Sequence, residues 1–414
     1  LFMDIREDTA SRESLERCVR ILEVVHGKDH VRVCNAQVVF AQCLTNRCEF
    51  PEAERLLEHA DSAMVAFSRH SDARDGESGQ LSAEPKAEDN IFYCKVIVGF
   101  AQLYLERAMY LEAEALLQRV LPLAKMLSGK DGPLTQKILF LFGLLHGTLA
   151  NWQDGHDSFE QASVLARNLF GSKSPLVFRS GLNDARLYLE QSAFREATGR
   201  LAELEIFEPL PSPIDAAEIR ILRGDLQLAL GRHKAGKDFY CSALRILNAR
   251  YYVADAGYDV PRVARQVEPH VLCAWAAQKL GNCLLEWERW HDAELVLKEA
   301  RDVFAQFDTD RKHPKLGDIL WRHAFALSKL GNENTNDMAI GRDTELKPYV
   351  LEMFVDVDGQ RRARTVTHRW CDRTENDLTR DEFTLAKEIL DESLGPDHPR
   401  FATFACALGE YHRM

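Results

Sequence analysis

Three groups of residues in this chain have the side-chain types that chemistry requires. His156 stands among Asp154 and Asp157, while His146 and His291 occur near other turns, the latter beside Asp292. Imidazole and carboxylate could share a metal ion. None of these places has the His-Glu-x-x-His spacing that sets two ligands and a base on one helical face, so they read as caps and solvated groups. Cys34, Cys43 and Cys48 could suggest zinc, but spacings of nine and five are not those of a Cys-x-x-Cys knuckle, and buried thiols fit better. The strongest local basic patch is Arg361-Arg362-Ala363-Arg364, followed by His368, Arg369 and Arg373. On a helix, Arg362, Arg369 and Arg373 would form one positive face. Such a face is ordinarily solvated; it could also meet an acidic protein tail, a microtubule surface or RNA, in that order.

No Gly-x-x-x-x-Gly-Lys-Ser/Thr phosphate loop is present, and no Gly-x-Ser-x-Gly elbow stands between a strand and a helix. The expectation is a chain without catalytic residues, cofactor or metal. Trp275, Trp287 and Trp290 concentrate aromatic surface. Trp290 belongs to a packing pattern described next, whereas Trp287, just before a turn, is freer to touch a partner.

What must position these residues is a repeat. With the small residues Ala41, Ala101, Gly143, Ala185, Gly224 and Gly281 as origins, position +9 carries Phe50, Tyr110, Trp152, Phe194, His233 and Trp290. Position +12 carries Ala53, Ala113, Gly155, Ala197, Gly236 and Ala293, and Ala101, Gly143 and Ala185 follow one another at 42 residues. A small residue lets two helices approach, the +9 residue covers their crossing, and the next small residue opens the second helix. Neither helix buries its apolar face alone, so each pair needs its neighbours. The predicted fold is all-α, a right-handed superhelical solenoid of antiparallel helix pairs.

Punctuation supports the helix boundaries. Gly129 and Gly171 fall 28 residues after their origins, and Pro133 and Pro175 fall 32 after. Glycine closes one helix and proline opens the next without losing an internal hydrogen bond. The spacing from Ala41 to Ala101 is 60 residues, and the charged stretch 68–90 reads as a flexible insertion that leaves the register intact. The solenoid is expected over 1–314. A second helix reaching Tyr252 would carry Tyr251 and Tyr252 as packing residues or ligand contacts. An irregular helical continuation is expected over 315–378, with helices at Leu346–Val355 and Arg361–Arg373, and C-terminal repeat-like helices over 379–414.

Composition agrees with a large interior: 414 residues, 46% of them hydrophobic, with a formal charge of -12 that argues against a specific nucleic-acid partner. The ten cysteines show no dense pairing scheme, which favours a reducing, cytoplasmic compartment. No run reaches the length of a membrane span. Leu1 is not an initiator methionine, which reads as a piece of something longer.

The repeat unit resembles the tetratricopeptide repeats of the kinesin light chain family, which carry a Leu-Gly-x-x-His-Pro connector and a Gly-x-Tyr-x-x-Ala-Glu turn. Leu394-Gly395-Pro396-Asp397-His398-Pro399 matches the connector, and His26-Gly27-Lys28-Asp29-His30 matches part of it. Phe50-Pro51-Glu52-Ala53-Glu54, Tyr110-Leu111-Glu112-Ala113-Glu114 and Trp290-His291-Asp292-Ala293-Glu294 match the turn. The resemblance implies that first helices line a concave surface that receives a segment of another protein. Where those relatives carry paired asparagines, this chain has Val38 and Val39, then Ile97 and Val98, with Asn183 as a single copy. The function expected is a noncatalytic scaffold or adaptor for a peptide or protein, with Asn183, Trp287, Arg362, Arg369 and Arg373 as candidate partner-binding residues. The alternative is a structural subunit of a larger assembly, cytoskeletal or microtubule-associated.

Overall fold

A computed structural model describes residues 9–46, 49–75, 91–207, 213–247, 250–254, 258–262, 271–306, 313–337, 350–357, 360–367, 375–394 and 399–411. Among them the helices are α1 (Thr9–His26), α2 (Val31–Asn46), α3 (Phe50–Asp75), α4 (Ile91–Glu106), α5 (Tyr110–Ser128), α6 (Pro133–Thr148), α7 (Trp152–Phe170) and α8 (Pro175–Glu190). They continue as α9 (Phe194–Glu203), α10 (Pro213–Ala229), α11 (His233–Ile246), α12 (Val271–Glu286), α13 (Trp290–Phe304), α14 (Pro314–Asp337), α15 (Glu375–Leu394) and α16 (Pro399–Tyr411). A 3-10 turn, Leu204–Phe207, extends α9.

One turn geometry joins the two helices of a pair, and its chemistry is local. Seven residues after the origin the backbone turns left-handed, at Ala108 (φ 61°), Ala150 (60°), Ser192 (61°), Gly231 (72°) and Glu288 (56°). The N–H of the next residue then donates back five positions, as in Met109 to Tyr104 O (2.8 Å), Asn151 to His146 O (2.8 Å) and Ala193 to Tyr188 O (2.8 Å). This closure satisfies the last carbonyls of the first helix and reverses the chain. The carbonyl of that same residue accepts the first bond of the second helix from the +12 position, as in Asn151 O from Gly155 N.

Packing across the pair is set by position +16, which lies on the small origin. Leu57, Leu117, Phe159, Leu201, Tyr240 and Leu297 stand there, all buried. A Cβ added to Gly143 would lie 2.6 Å from the Phe159 ring, one on Gly224 2.5 Å from Tyr240, and one on Gly281 2.5 Å from Leu297. Glycine at the origin thus leaves room for an aromatic ring twice and for a leucine once. Alanine at Ala41, Ala101 and Ala185 is matched by leucine each time.

Pairs stack in chain order: α2 with α3, α4 with α5, α6 with α7, α8 with α9, α10 with α11, α12 with α13 and α14 with α15. Successive first helices also touch, from α2–α4 through α12–α14, whereas no comparable contact joins successive second helices among the described residues. Closer spacing on one side means curvature, so the first helices line the inner face. Trp290 meets the neighbouring unit edge-on, at 6.2 Å from the Phe325 ring of α14. A single apolar cluster runs from Ile214 to Ala407, and it draws α14, α15 and α16 into the same stack.

Four sequence expectations change. Helix α11 ends at Ile246, and Tyr251 and Tyr252 lie on β1 (Arg250–Ala254), antiparallel to β2 (Tyr258–Arg262). The helices expected at Leu346–Val355 and Arg361–Arg373 are replaced by a hairpin, β3 (Val350–Val357) with β4 (Gln360–Thr367), pairing Val355 with Arg362. The physical reason is side-chain shape: Val350, Val355, Val357, Thr365, Val366 and Thr367 are β-branched, which favours a pleated ribbon over a helix. This hairpin stands between α14 and its partner α15, so the pair is interrupted rather than irregular. Finally, α3 continues to Asp75, so the insertion expected from 68 begins as helix, and 76–90 lie outside the described residues.

Four substitutions test these geometries. Gly143→Ala should lower stability by about 1–3 kcal/mol through overpacking, read as a lower urea midpoint, whereas Ala185→Gly should cost only about 1 kcal/mol. Gly171 closes α7 with φ 88° and ψ 164°, a conformation open essentially to glycine alone. Gly171→Ala should therefore cost about 1–3 kcal/mol although nothing crowds the site. Ser192→Gly, which relieves a left-handed side chain, should not lower the thermal midpoint.

Candidate functional site

The inner face repeats one position in register. Six residues before each origin stand Asn35, Lys95, Lys137, Arg179, Glu218 and Trp275, on α2, α4, α6, α8, α10 and α12. Lys95 Nζ donates to Asn35 Oδ1 at 3.2 Å, which shows that this row is continuous between adjacent first helices. Lys95 also lies 4.8 Å over the Phe92 ring. Arg179 Nε stands 3.7 Å from Asp215 Oδ1. Lys137 is half-buried and has neither a hydrogen bond nor an ion pair among the described residues. Desolvation pushes its ammonium down to about 8 and lowers Lys95 in the same direction.

Farther along, the inner face is crossed by its own side chains. Arg186 of α8 reaches past α10 to lie 4.7 Å over the Trp275 ring of α12, and Lys279 lies 5.9 Å from the same ring. Lys279 Nζ pairs with Asp225 Oδ2 of α10 at 2.9 Å. Arg186 is held by a 2.8 Å hydrogen bond to Asn183 Oδ1, while Asn183 Nδ2 donates to Arg179 O at 2.9 Å. Asn183 is thus a buried positioning residue with both ends of its amide engaged.

The other sequence candidates fall elsewhere. Trp287 is half-buried at the α12–α13 turn and lines an open cleft of about 550 Å³ with Arg232, His233, Lys234 and Asp238. Asn183 is not part of that cleft. Arg362 lies on β4, so helical spacing to Arg369 and Arg373 does not apply, and those two lie outside the described residues. Sequence inspection missed Lys95, Lys137 and Arg179, although their common offset from successive origins was there to find. The Arg186–Trp275 contact has no local signal, since it joins residues 89 apart.

Two histidine–carboxylate pairs have the composition of acid–base machinery, but their surroundings engage them structurally. His156 Nδ1 meets Asp184 Oδ1 at 2.5 Å and its Nε2 meets Gln191 at 2.7 Å, so both ring nitrogens are taken. Tyr188 stacks on the imidazole at 4.0 Å, and Arg200 Nε donates to Asp184 Oδ2 at 2.6 Å. His323, on α14, is buried with Nδ1 2.6 Å from Glu382 Oε2 of α15, and its Nε2 stands 3.7 Å from Glu294 Oε1 of α13. Arg301 Nη1 donates to the other Glu382 oxygen at 2.6 Å. Burial works against the charge on His323, but Glu382 and Glu294 overcome it and raise its pKa. Burial likewise opposes the Glu382 charge, and His323 and Arg301 overcome it and lower its pKa. These charges tie three successive elements together. Cys34, Cys43, Cys94, Cys273 and Cys283 are buried, Cys48 lies outside the described residues, and burial pushes the Cys283 thiol up to about 12.

Comparison of the whole arrangement with solved structures gives its fold. NprR in complex with its cognate peptide NprX matches with a TM-score of 0.50 at 12% identity, over 82% of this chain and 89% of that one. The fold is that of a tetratricopeptide-like helical solenoid. A Rap protein complexed with Competence and Sporulation Factor gives 0.49 at 12% identity, over 91% and 87% of the two chains. BtubC (BKLC) from P. vanneervenii gives 0.41 at 16% identity, over 59% and 91%. No family model matches the sequence, and no curated protein matches it. Among the described residues no helix of the solenoid is long and apolar enough to cross a membrane.

Glu382→Gln should destabilise the C-terminal part of the solenoid by about 3–5 kcal/mol, because it leaves buried His323 and Arg301 without their shared counter-ion. In the parent protein the sign differs for the two partners. The His323 contribution is complete below the ordinary imidazole value of 6.5 and is lost as pH rises through the raised folded value. The Glu382 contribution is complete above its ordinary value of 4.5 and is lost as pH falls through the lowered folded value. Thermal midpoints measured against pH should show the variant's deficit greatest between those two ordinary values and smaller on either side.

Proposed function

We propose that this chain is a noncatalytic protein-binding scaffold that presents the inner face of its first helices to a peptide or protein partner in the cytoplasm. The observation that carries the proposal is the contact of successive first helices with one another, which makes their polar, half-buried side chains a single continuous surface. Many small contacts along a rigid curve can offset the entropy of ordering an extended partner. The NprR structure holds a cognate peptide, and the shared fold makes the same use of this solenoid a reasonable model. Chemistry adds support, since His156 has both ring nitrogens on structural partners and His323 is buried in an ion pair with Glu382.

A photo-crosslinking side chain placed singly at Gln42 or Leu144, on inner helices α2 and α6, should capture a discrete partner from native lysate. The same group at exposed Leu111 or Met126 of α5 should capture far less. Capture confined to α5, reproducible across salt concentrations, would reverse the assignment of the binding face.

A further inference from the structure

We propose that the outer face of α5 is a two-fold interface at which this chain pairs with a second copy of itself. Second helices form the outer wall, and each turns one stripe of its surface to solvent. In α3 that stripe carries Arg55 and Glu58, and in α7 Asp157 and Glu160. At the same positions α5 carries Leu111, Ala115, Gln118, Pro122 and Met126, all exposed and none charged. Leu111 is 78% exposed and Met126 65%. Apolar side chains exposed singly are ordinary, but a stripe unbroken by charge along about 22 Å of one helix marks an interaction surface. Pro122 belongs to the same picture. A proline inside a helix has no N–H for the carbonyl of Gln118 and lowers helix stability, so helix formation does not account for it.

The order of residues selects a second copy as the occupant. About a centre between Gln118 and Arg119, Leu111 and Met126 stand outermost, with Ala115 and Pro122 inside them. An antiparallel two-fold pairing therefore sets Leu111 against Met126 of the second copy and Ala115 against its Pro122. The bulky residues close the two ends, and the small middle lets the helix axes approach. Charge agrees with this arrangement. At about 100° per residue, Glu114 and Lys125 fall on the same flank of the stripe. The two-fold axis lays that flank against its own reverse, so Glu114 meets Lys125 of the second copy, and the reciprocal pair forms as well. A chain of formal charge -12 repels itself over most of its surface, and this uncharged stripe with opposite charges beside it is where contact is tolerated. A single helix pair buries less than the roughly 1,200 Å² of a standard interface, so the dimer is a weak one that forms at micromolar concentration.

The test is sedimentation equilibrium of the full chain from low to high micromolar concentration, with circular dichroism to confirm that each variant is folded. The parent should pass from monomer to dimer. Leu111→Glu and Lys125→Glu, both at exposed positions, should each raise the dissociation constant about tenfold or more. Exchanging the charges in the double variant Glu114→Lys with Lys125→Glu should restore it to within about threefold of the parent. A photo-crosslinking side chain at Leu111 of the purified chain should join a second copy on α5, near Met126. A monomer at every concentration, a dimer indifferent to Leu111→Glu, or a crosslink mapped outside α5 would overturn the proposal. Capture of a different protein at Leu111 in place of the second copy would also overturn it, in favour of a foreign partner. The inner face plays no part in this pairing. Dimerisation without inner-face capture therefore leaves the interface standing while the scaffold reading falls, and the reverse result does the opposite.

Discussion

Two helices can cross closely only where one of them gives up side-chain volume, and this solenoid meets that demand once per unit. The small origin on the first helix receives the large +16 residue of the second, with glycine opposite Phe159 and Tyr240 and alanine opposite Leu57, Leu117 and Leu201. Everything else is positioned by that crossing. It fixes the distance between the helices, the left-handed turn that must join them, and the surface each pair offers to the next. Because successive first helices come closer than second helices, the repeated crossing accumulates as curvature and creates an inner face.

The inner face shows how the solenoid spends polar groups. In its middle portion they satisfy one another, with Asn183 holding Arg186, Arg186 lying on Trp275, and Lys279 paired with Asp225. Toward the N-terminal side they are left more open, and Lys137 shows the physical consequence in a lowered ammonium pKa caused by burial alone. A curved array can therefore hold a densely cross-bonded section beside one in which a half-buried cation, Lys137, has no internal counter-ion among the described residues. The distinction depends on which row each residue joins, not on its type.

The C-terminal end is held by another device. Between α14 and α15 the chain makes the β3–β4 hairpin, yet the two helices still pack as a pair. Buried His323 and Glu382 bridge them, and Arg301 and Glu294 extend the cluster into α13. Glycine and alanine set the spacing of the earlier pairs; here a charge network and the shared apolar cluster also fasten a pair whose connection is long.

Much of the fold was legible in residue spacing because its causes are local. A left-handed turn, a proline at the start of α6 or α8, and a small residue at each crossing all act within one pair, so a fixed period exposes them. The β3–β4 hairpin was missed because short segments such as Val350–Val357 satisfy helical and pleated patterns alike, and the choice falls to pairing with Gln360–Thr367. Asn183 was recognisable as polar on an inner helix, but its engagement with Arg179 and Arg186 was not, since the direction of a side chain depends on what surrounds it. Lys95, Lys137 and Arg179 share an offset that the chain itself displays. That Lys95 and Arg179 acquire partners while Lys137 has none among the described residues was decided only in three dimensions, because a charge's neighbours come from helices brought together by stacking and its electrostatic energy is set by the water that stacking removes.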